Sequence, residues 1–235
     1  MKRYNWVGFL PFYLLTVIVI IGIAVFGSRT TTTIAQYRPV ERNTTIVIDA
    51  GHGGIDGGAT SCSGVLESKL NLDIALKLEA LMQLLGYDTV MIRRTDTSIY
   101  TEGNTIASQK VSDLKQRVRI VNETPNAVLI SIHQNTYPDG RYSGAQVFYG
   151  GASDSKDLAQ SMQTNFNETL CIGSNRKSKK ANGVYLMQNI EATGVLIECG
   201  FLTNPEEEAK LRDSEYQKKL CCVIAHTVST YENRG

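Results

Sequence analysis

At 235 residues with 42% hydrophobic side chains, the chain is long enough for one globular domain plus an accessory segment. Its 24 Lys and Arg balance 23 Asp and Glu without any basic tract, so the electrostatic footprint of a nucleic-acid-binding protein is missing and no nucleic-acid partner is expected. The five cysteines, at 62, 171, 199, 221 and 222, form no C-x-x-C pair, which argues against a disulfide framework or a thiolate zinc site.

After Lys2 and Arg3, residues 6–27 carry no charge and are rich in Ile, Val, Leu and Phe. About 20 apolar residues span a bilayer core, whereas a signal-peptide core needs roughly 7–15. Residues 1–27 are therefore expected to be a signal peptide or a membrane anchor. Residues 28–44, polar, Thr-rich and aperiodic, read as a linker. Residues 45–232 read as the folded domain, exported and either membrane-anchored or secreted to the cell envelope.

Within that domain strands and helices alternate. Residues 45–50 are an apolar run ending in glycines, the pattern of a buried parallel strand. Leu70, Ile74, Leu78, Leu81 and Leu85 recur at helical spacing, and Gly86 is placed to close that helix. A second strand is expected at 89–92. Residues 95–110 are polar and irregular, long for a loop, and Asp113 is read as the cap of a helix running to about Asn122. Strands follow at 127–132 and 145–149, then a helix over 153–170 and a basic loop through Arg176, Lys177, Lys179 and Lys180. Short strands are expected at 184–187 and 195–197. Asn204-Pro205-Glu206 opens a helix with a cap and a first-turn proline, and a last helix covers about 216–231. This alternation predicts an α/β fold: a single domain with a mostly parallel central sheet flanked by helices.

Two of the three histidines stand directly after apolar strands. His52 lies in Gly51-His52-Gly53-Gly54, and His133 ends Ile130-Ser131-Ile132-His133. Ligand sites in open α/β sheets gather at the carboxyl ends of strands, and glycines around His52 leave room for a metal and a substrate. Glu67 precedes the first domain helix, and Glu198 closes the last strand. A carboxylate there is costly to bury without a partner; a salt bridge to Arg94 or Arg117 is the competing explanation for either acid. Two imidazoles and one carboxylate make the three-ligand site of a catalytic zinc, and a second carboxylate can then take a proton from water. His226, inside the C-terminal helix, reads as structural. The 51–58 segment lacks the spacing of a phosphate-binding loop.

These motifs resemble the zinc-dependent N-acetylmuramoyl-L-alanine amidase family of the amidase 3 type. The resemblance rests on Val47 to Gly54, on Leu66-Glu67-Ser68-Lys69, on Ser131-Ile132-His133-Gln134-Asn135 with the Gly144–Tyr149 strand, and on Glu198-Cys199-Gly200-Phe201-Leu202-Thr203-Asn204. It covers residues 45–231 and implies zinc bound by His52, Glu67 and His133, with Glu198 as catalytic base. The substrate it implies is peptidoglycan, cut at the amide between the lactyl group of muramic acid and L-alanine. A proline often seen in the family is Thr193 here. The segment between Tyr149 and Glu198 is too short for the occluding helix of the self-inhibited division amidases, and the short membrane-bound N-terminus, the bare catalytic domain and Lys110-Val111-Ser112-Asp113-Leu114-Lys115 together resemble the germination-specific, spore-cortex branch. In that branch stem peptides are removed so that muramic δ-lactam can form, which makes the forespore intermembrane space a candidate location.

The competing readings are a zinc carboxypeptidase acting on wall peptides, whose His-x-x-Glu spacing is absent at His52, and a non-catalytic wall-binding domain. With no wall-binding repeat, restraint is expected from timing, from the N-terminal segment, or from an envelope accessory protein docking on the 95–110 loop through Tyr100 and Ile106.

Overall fold

The computed structural model describes residues 14–21 and 42–232. The chain divides into two compact units between Val40 and Glu41. In the first, residues 14–21 are helical with exposed apolar side chains. Among the described residues no helix is long and apolar enough to cross a membrane. Most of the expected signal peptide or anchor (1–27) and of the expected linker (28–44) lies outside the described residues.

The second unit holds strands β1 (Thr45–Ala50), β2 (Asp88–Met91), β3 (Ala127–Asn135), β4 (Gln146–Gly151), β5 (Lys179–Lys180) and β6 (Thr193–Phe201). Its helices are α1 (Glu67–Leu84), α2 (Ile106–Glu123), α3 (Ser155–Thr169), α4 (Tyr185–Asn189), α5 (Pro205–Arg212) and α6 (Ser214–Glu232). The six strands form one sheet in the order β2-β1-β3-β6-β4-β5. All neighbours are parallel except β4 and β6, so the sheet is mostly parallel, as the alternation predicts.

From β1 the chain crosses through α1 to β2 on one side, then returns through α2 to β3 on the other. Right-handed crossovers in opposite directions put their helices on opposite faces and open a crevice between β1 and β3. The side chains of each strand divide accordingly. Ile46, Ile48, Ile130, Ile132, Val195 and Ile197 join the larger core beneath α1, α3 and α6. Val47, Leu129 and Leu196 face a smaller core that includes Val121 of α2 and Leu186 of α4. Helix α1 ends as expected at Gly86 (φ 84°), where the Gly86 and Tyr87 amides donate to the carbonyls of Gln83 and Met82 in a Schellman closure.

Two expectations are corrected. Helix α2 begins at Ile106, not near Asp113: Thr105 caps it, its hydroxyl accepting from the Ser108 amide while Ser108 bonds back to the Thr105 amide. The loop is correspondingly shorter, and Ile106 belongs to a helix. Residues 184–187 do not form a strand. Leu186, Met187 and Ile190 are buried at helical spacing on α4, and the short strand lies earlier, at Lys179–Lys180, where it extends the sheet beside β4.

Candidate active site

The carboxyl ends of β1, β3 and β6 bring the four sequence-predicted residues together. In the parallel β3–β6 register His133 faces Glu198. Both occupy the sheet face that carries Leu129 and Leu196, because side chains alternate. His52 follows β1 with φ 61°, a left-handed conformation unusual for a side chain with a Cβ. Glu67 is the first residue of α1, where the helix N-terminus favours a carboxylate, and it reaches over the end of the sheet.

His52 Nε2 lies 3.3 Å from Glu67 Oε2, and His133 Nδ1 lies 3.1 Å from Glu67 Oε1. The two imidazole centroids are 4.9 Å apart, edge to face. One donor atom from each residue falls within 4.8 Å of the others, with Glu67 buried and the histidines half-buried. A tetrahedral ion with bonds of about 2.0–2.1 Å spaces its ligands by roughly 3.3 Å, so this donor set fits a metal. Close packing enforces the arrangement. A Cβ on Gly51 would sit 2.2 Å from His133 Nε2, and one on Gly58 (φ 68°) would sit 2.7 Å from Glu67 Oε2.

Each side chain of the cluster is itself held. Glu67 Oε1 accepts from the Gln134 amide (3.1 Å) and from Asn71 Nδ2 (3.3 Å), and Oε2 accepts from the Ala59 amide (3.0 Å). His52 Nδ1 meets Asp56 Oδ2 at 2.9 Å, and Lys110 Nζ meets Asp56 Oδ1 at 2.8 Å. Arg93 is buried and ties β1 to α1, donating to the carbonyls of Ala50 (2.7 Å), Gly51 (3.0 Å) and Ser68 (2.8 Å). Arg117 pairs with Asp49 and with Asp113, and donates to the His52 carbonyl at 2.7 Å.

The electrostatics separate the two glutamates. Burial would raise Glu67, but hydrogen bonds and charge from His133 and His52 hold it well below the usual carboxylate range. Burial would lower His52, but Glu67 and Asp56 outweigh it and raise the imidazole to about 9. Burial pushes Glu198 up to about 7; His133 opposes this and Glu67 adds to it. Its Oε2 is buried without a hydrogen-bond partner. The salt-bridge explanation for the two acids fails, since Arg94 pairs with Glu79 and Arg117 with Asp49 and Asp113.

Of the residues that hold the cluster, sequence reasoning named Asp56 only as the candidate base after Glu198 and gave Lys110 no place in the site. Asp56 had a legible signal, four residues beyond His52 in the same glycine-rich turn. Lys110 had none, because its helical position depends on a Thr-x-x-Ser cap that lacks the usual Glu or Gln. His226 is exposed on α6. All five cysteines are free, and Cys199 and Cys221 are buried in the larger core.

A two-histidine, one-glutamate cluster that could hold a metal, in a sheet crevice with an unpartnered carboxylate at its side, fits the class of hydrolases on an α/β scaffold. The chain belongs to the Amidase_3 family, N-acetylmuramoyl-L-alanine amidase, whose model matches residues 46–230. It is thus a hydrolase of amide bonds with peptidoglycan as its substrate. It is 37% identical over 188 residues to the germination-specific N-acetylmuramoyl-L-alanine amidase of Bacillus subtilis, covering 79% of this chain and 78% of that one. The structure of the CwlD amidase from Clostridioides difficile, solved in complex with the GerS lipoprotein, matches with a TM-score of 0.78 at 36% identity, over 82% of this chain and all (100%) of that one. An N-acetylmuramoyl-L-alanine amidase from Clostridium difficile 630 matches with a TM-score of 0.69 at 32% identity, over 82% and 98% of the two chains.

Proposed function

We propose that His52, Glu67 and His133 hold one zinc ion and that Glu198 is the general base in hydrolysis of the bond between the muramic lactyl group and L-alanine. The observation that carries this reading is the pairing of a three-residue donor cluster with a buried carboxylate whose Oε2 has no partner. In such a setting zinc supplies Lewis-acid polarisation of a carbonyl and a lowered pKa for water. Glu198, near neutral pKa through burial, accepts the proton of the attacking water and passes it to the departing amine nitrogen. Asp56 accepts from His52 Nδ1–H and so fixes the tautomer that turns Nε2 toward Glu67. Gln134, Asn71 and Ala59 fix the direction of the Glu67 carboxylate.

Glu198→Gln tests the assignment. Elemental analysis is expected to find zinc as in the wild type, while release of stem peptides from purified peptidoglycan falls by about 10²–10⁴. Release at the wild-type rate would put the base elsewhere.

The biological reading is removal of stem peptides in the spore cortex. Its support is similarity to a germination-specific amidase over 79% of the chain. Residues 45–232 are the catalytic domain in this reading, 28–44 a linker, and 1–27 the signal peptide or anchor that delivers the domain to the envelope; the uncharged apolar run 6–27 supports that delivery. An envelope lipoprotein is the expected accessory partner, supported by the GerS complex of the 36%-identical CwlD amidase.

A further inference from the structure

The ladder is irregular directly after Glu198. From His133 to Asn135 strand β3 advances two residues, while its partner β6 advances three, from Glu198 to Phe201. One extra residue is thus held in β6 just past Glu198, and a bulge of this kind bends its strand and re-aims the side chain beside it. On the other edge of β6, strand β4 starts only at Gln146, opposite Glu198. The backbone amides on both sides of this interruption need acceptors.

Glu207 of α5 supplies one. Its Oε2 accepts from the Phe201 amide at 3.0 Å and from the Gly144 amide at 2.8 Å. A single carboxylate oxygen therefore ties the far end of the bulge to the residues that lead into β4. Glu207 is 7% exposed. It reaches this place because β6 turns almost at once into α5, where Asn204 Oδ1 caps the helix by accepting from the Glu206 and Glu207 amides. The bulged backbone also passes close against the carboxylate, since a Cβ on Gly200 would sit 3.0 Å from Glu207 Oε2. These contacts serve the strand of Glu198 and its neighbour. Glu67 and His52 are held by a different set: Asn71, Gln134, Ala59 and Asp56.

We propose that Glu207 is a positioning residue for the reaction: by pinning the bulge it fixes the aim of the Glu198 carboxylate. The inference rests on the reading of Glu198 as the base and assigns that base its support.

The test uses the full chain loaded with zinc, acting on soluble glycan strands that carry stem peptides, with kcat and KM measured separately and zinc by elemental analysis. Glu207→Asp keeps the charge but withdraws the oxygen by one methylene. It is expected to lower kcat about tenfold or more, with KM and zinc content as in the wild type. Glu207→Gln loses the charge but keeps an accepting oxygen at the same reach, and is expected to hold kcat near the wild-type value. In a Glu198→Gln background Glu207→Asp is expected to add no further loss, because a residue that acts through the base then has nothing left to position. A general fault in folding lowers the rate in both backgrounds. Wild-type kcat or lost zinc in Glu207→Asp, a Gln variant as impaired as the Asp variant, or a further loss in the Glu198→Gln background would each overturn the proposal. A wild-type rate in Glu198→Gln alone would defeat the reading of the base itself, and the proposal with it.

Discussion

Helices α1 and α2 each have 18 residues and cover opposite faces of the same sheet, yet they are held by different forces. Helix α1 buries nine residues, among them Leu70, Ile74, Leu78 and Met82, between the sheet and α6. Helix α2 buries only Ser112, Arg117 and Val121. Val121 packs it on the smaller core, with Val118 and Ile120 partly buried there, and near the site it is tied to the sheet by the Arg117 guanidinium, paired with Asp49 of β1 and with Asp113 one turn earlier. An apolar helix packs flush and leaves no space. On the side of α2, a slot of about 180 Å³ opens beside His52 and His133, lined by Leu114 and Arg117 of α2, Leu186 of α4 and Leu196 of the sheet. The thick side thus supplies a rigid base for Glu67, and the thin side supplies access.

The contrast can be broken at three points, in order of expected effect. Leu78→Ala on α1 removes a fully buried side chain (0% exposed) from the larger core and is expected to cost about 3–4 kcal/mol. Urea denaturation at fixed zinc measures this, and a cost under about 1 kcal/mol would mean that the thick side is not the tighter one.

Asp49→Asn breaks the clamp on the thin side and leaves Arg117 with Asp113 alone. Uncoupling a buried pair is expected to cost about 3 kcal/mol, and activity falls with it because Arg117 also holds the His52 carbonyl. The effect depends on pH. Burial would raise the Asp49 carboxyl, but the Arg117 charge and the bonds from Ser131 and Arg117 hold it below the ordinary 3.8. A carboxyl lowered in the folded state stabilises the protein above the unfolded value, and that contribution is lost as pH falls through the folded value. The wild-type advantage over Asp49→Asn should therefore be full at pH 6 and narrow below about pH 4. A gap that stays constant on acidification would show that the pair does not act through ionisation.

The smallest effect belongs to the start of α2. Thr105→Ala removes the cap and is expected to cost about 1 kcal/mol. Faster hydrogen exchange should be confined to the first turns of α2, which carry Gln109 and Lys110 into the slot wall. Exchange that quickens throughout the sheet instead would show α2 to be part of one cooperative core.

The strands that build the site were legible in the sequence because each is a short apolar run stopped by glycine or a polar residue, and such punctuation is local. His52, His133 and Glu198 stood out for the same reason, whereas Glu67, ahead of a helix, was marked by the family motif. An ionisable group at the end of an apolar run needs an explanation that solvent exposure does not supply. The α4 segment was misread because an apolar run of four has no period of its own; Leu186 and Met187 became helical only when Ile190 packed beside them.

What the tertiary structure alone decided is pairing across distance. Arg117 and Asp49 are 68 residues apart, and His133 and Glu67 are 66 apart. Nothing in either neighbourhood distinguishes a guanidinium that clamps a strand from one that faces water. The pairing of Lys110 with Asp56 and of Arg94 with Glu79 came from the crossover geometry that lays α1 and α2 on opposite faces. Sequence by itself singled out His52, His133 and Glu198, because charge after an apolar strand is a local anomaly. Only the fold determined which partner holds each one, because ion pairs and hydrogen bonds act over a few ångströms of space and are indifferent to separation along the chain.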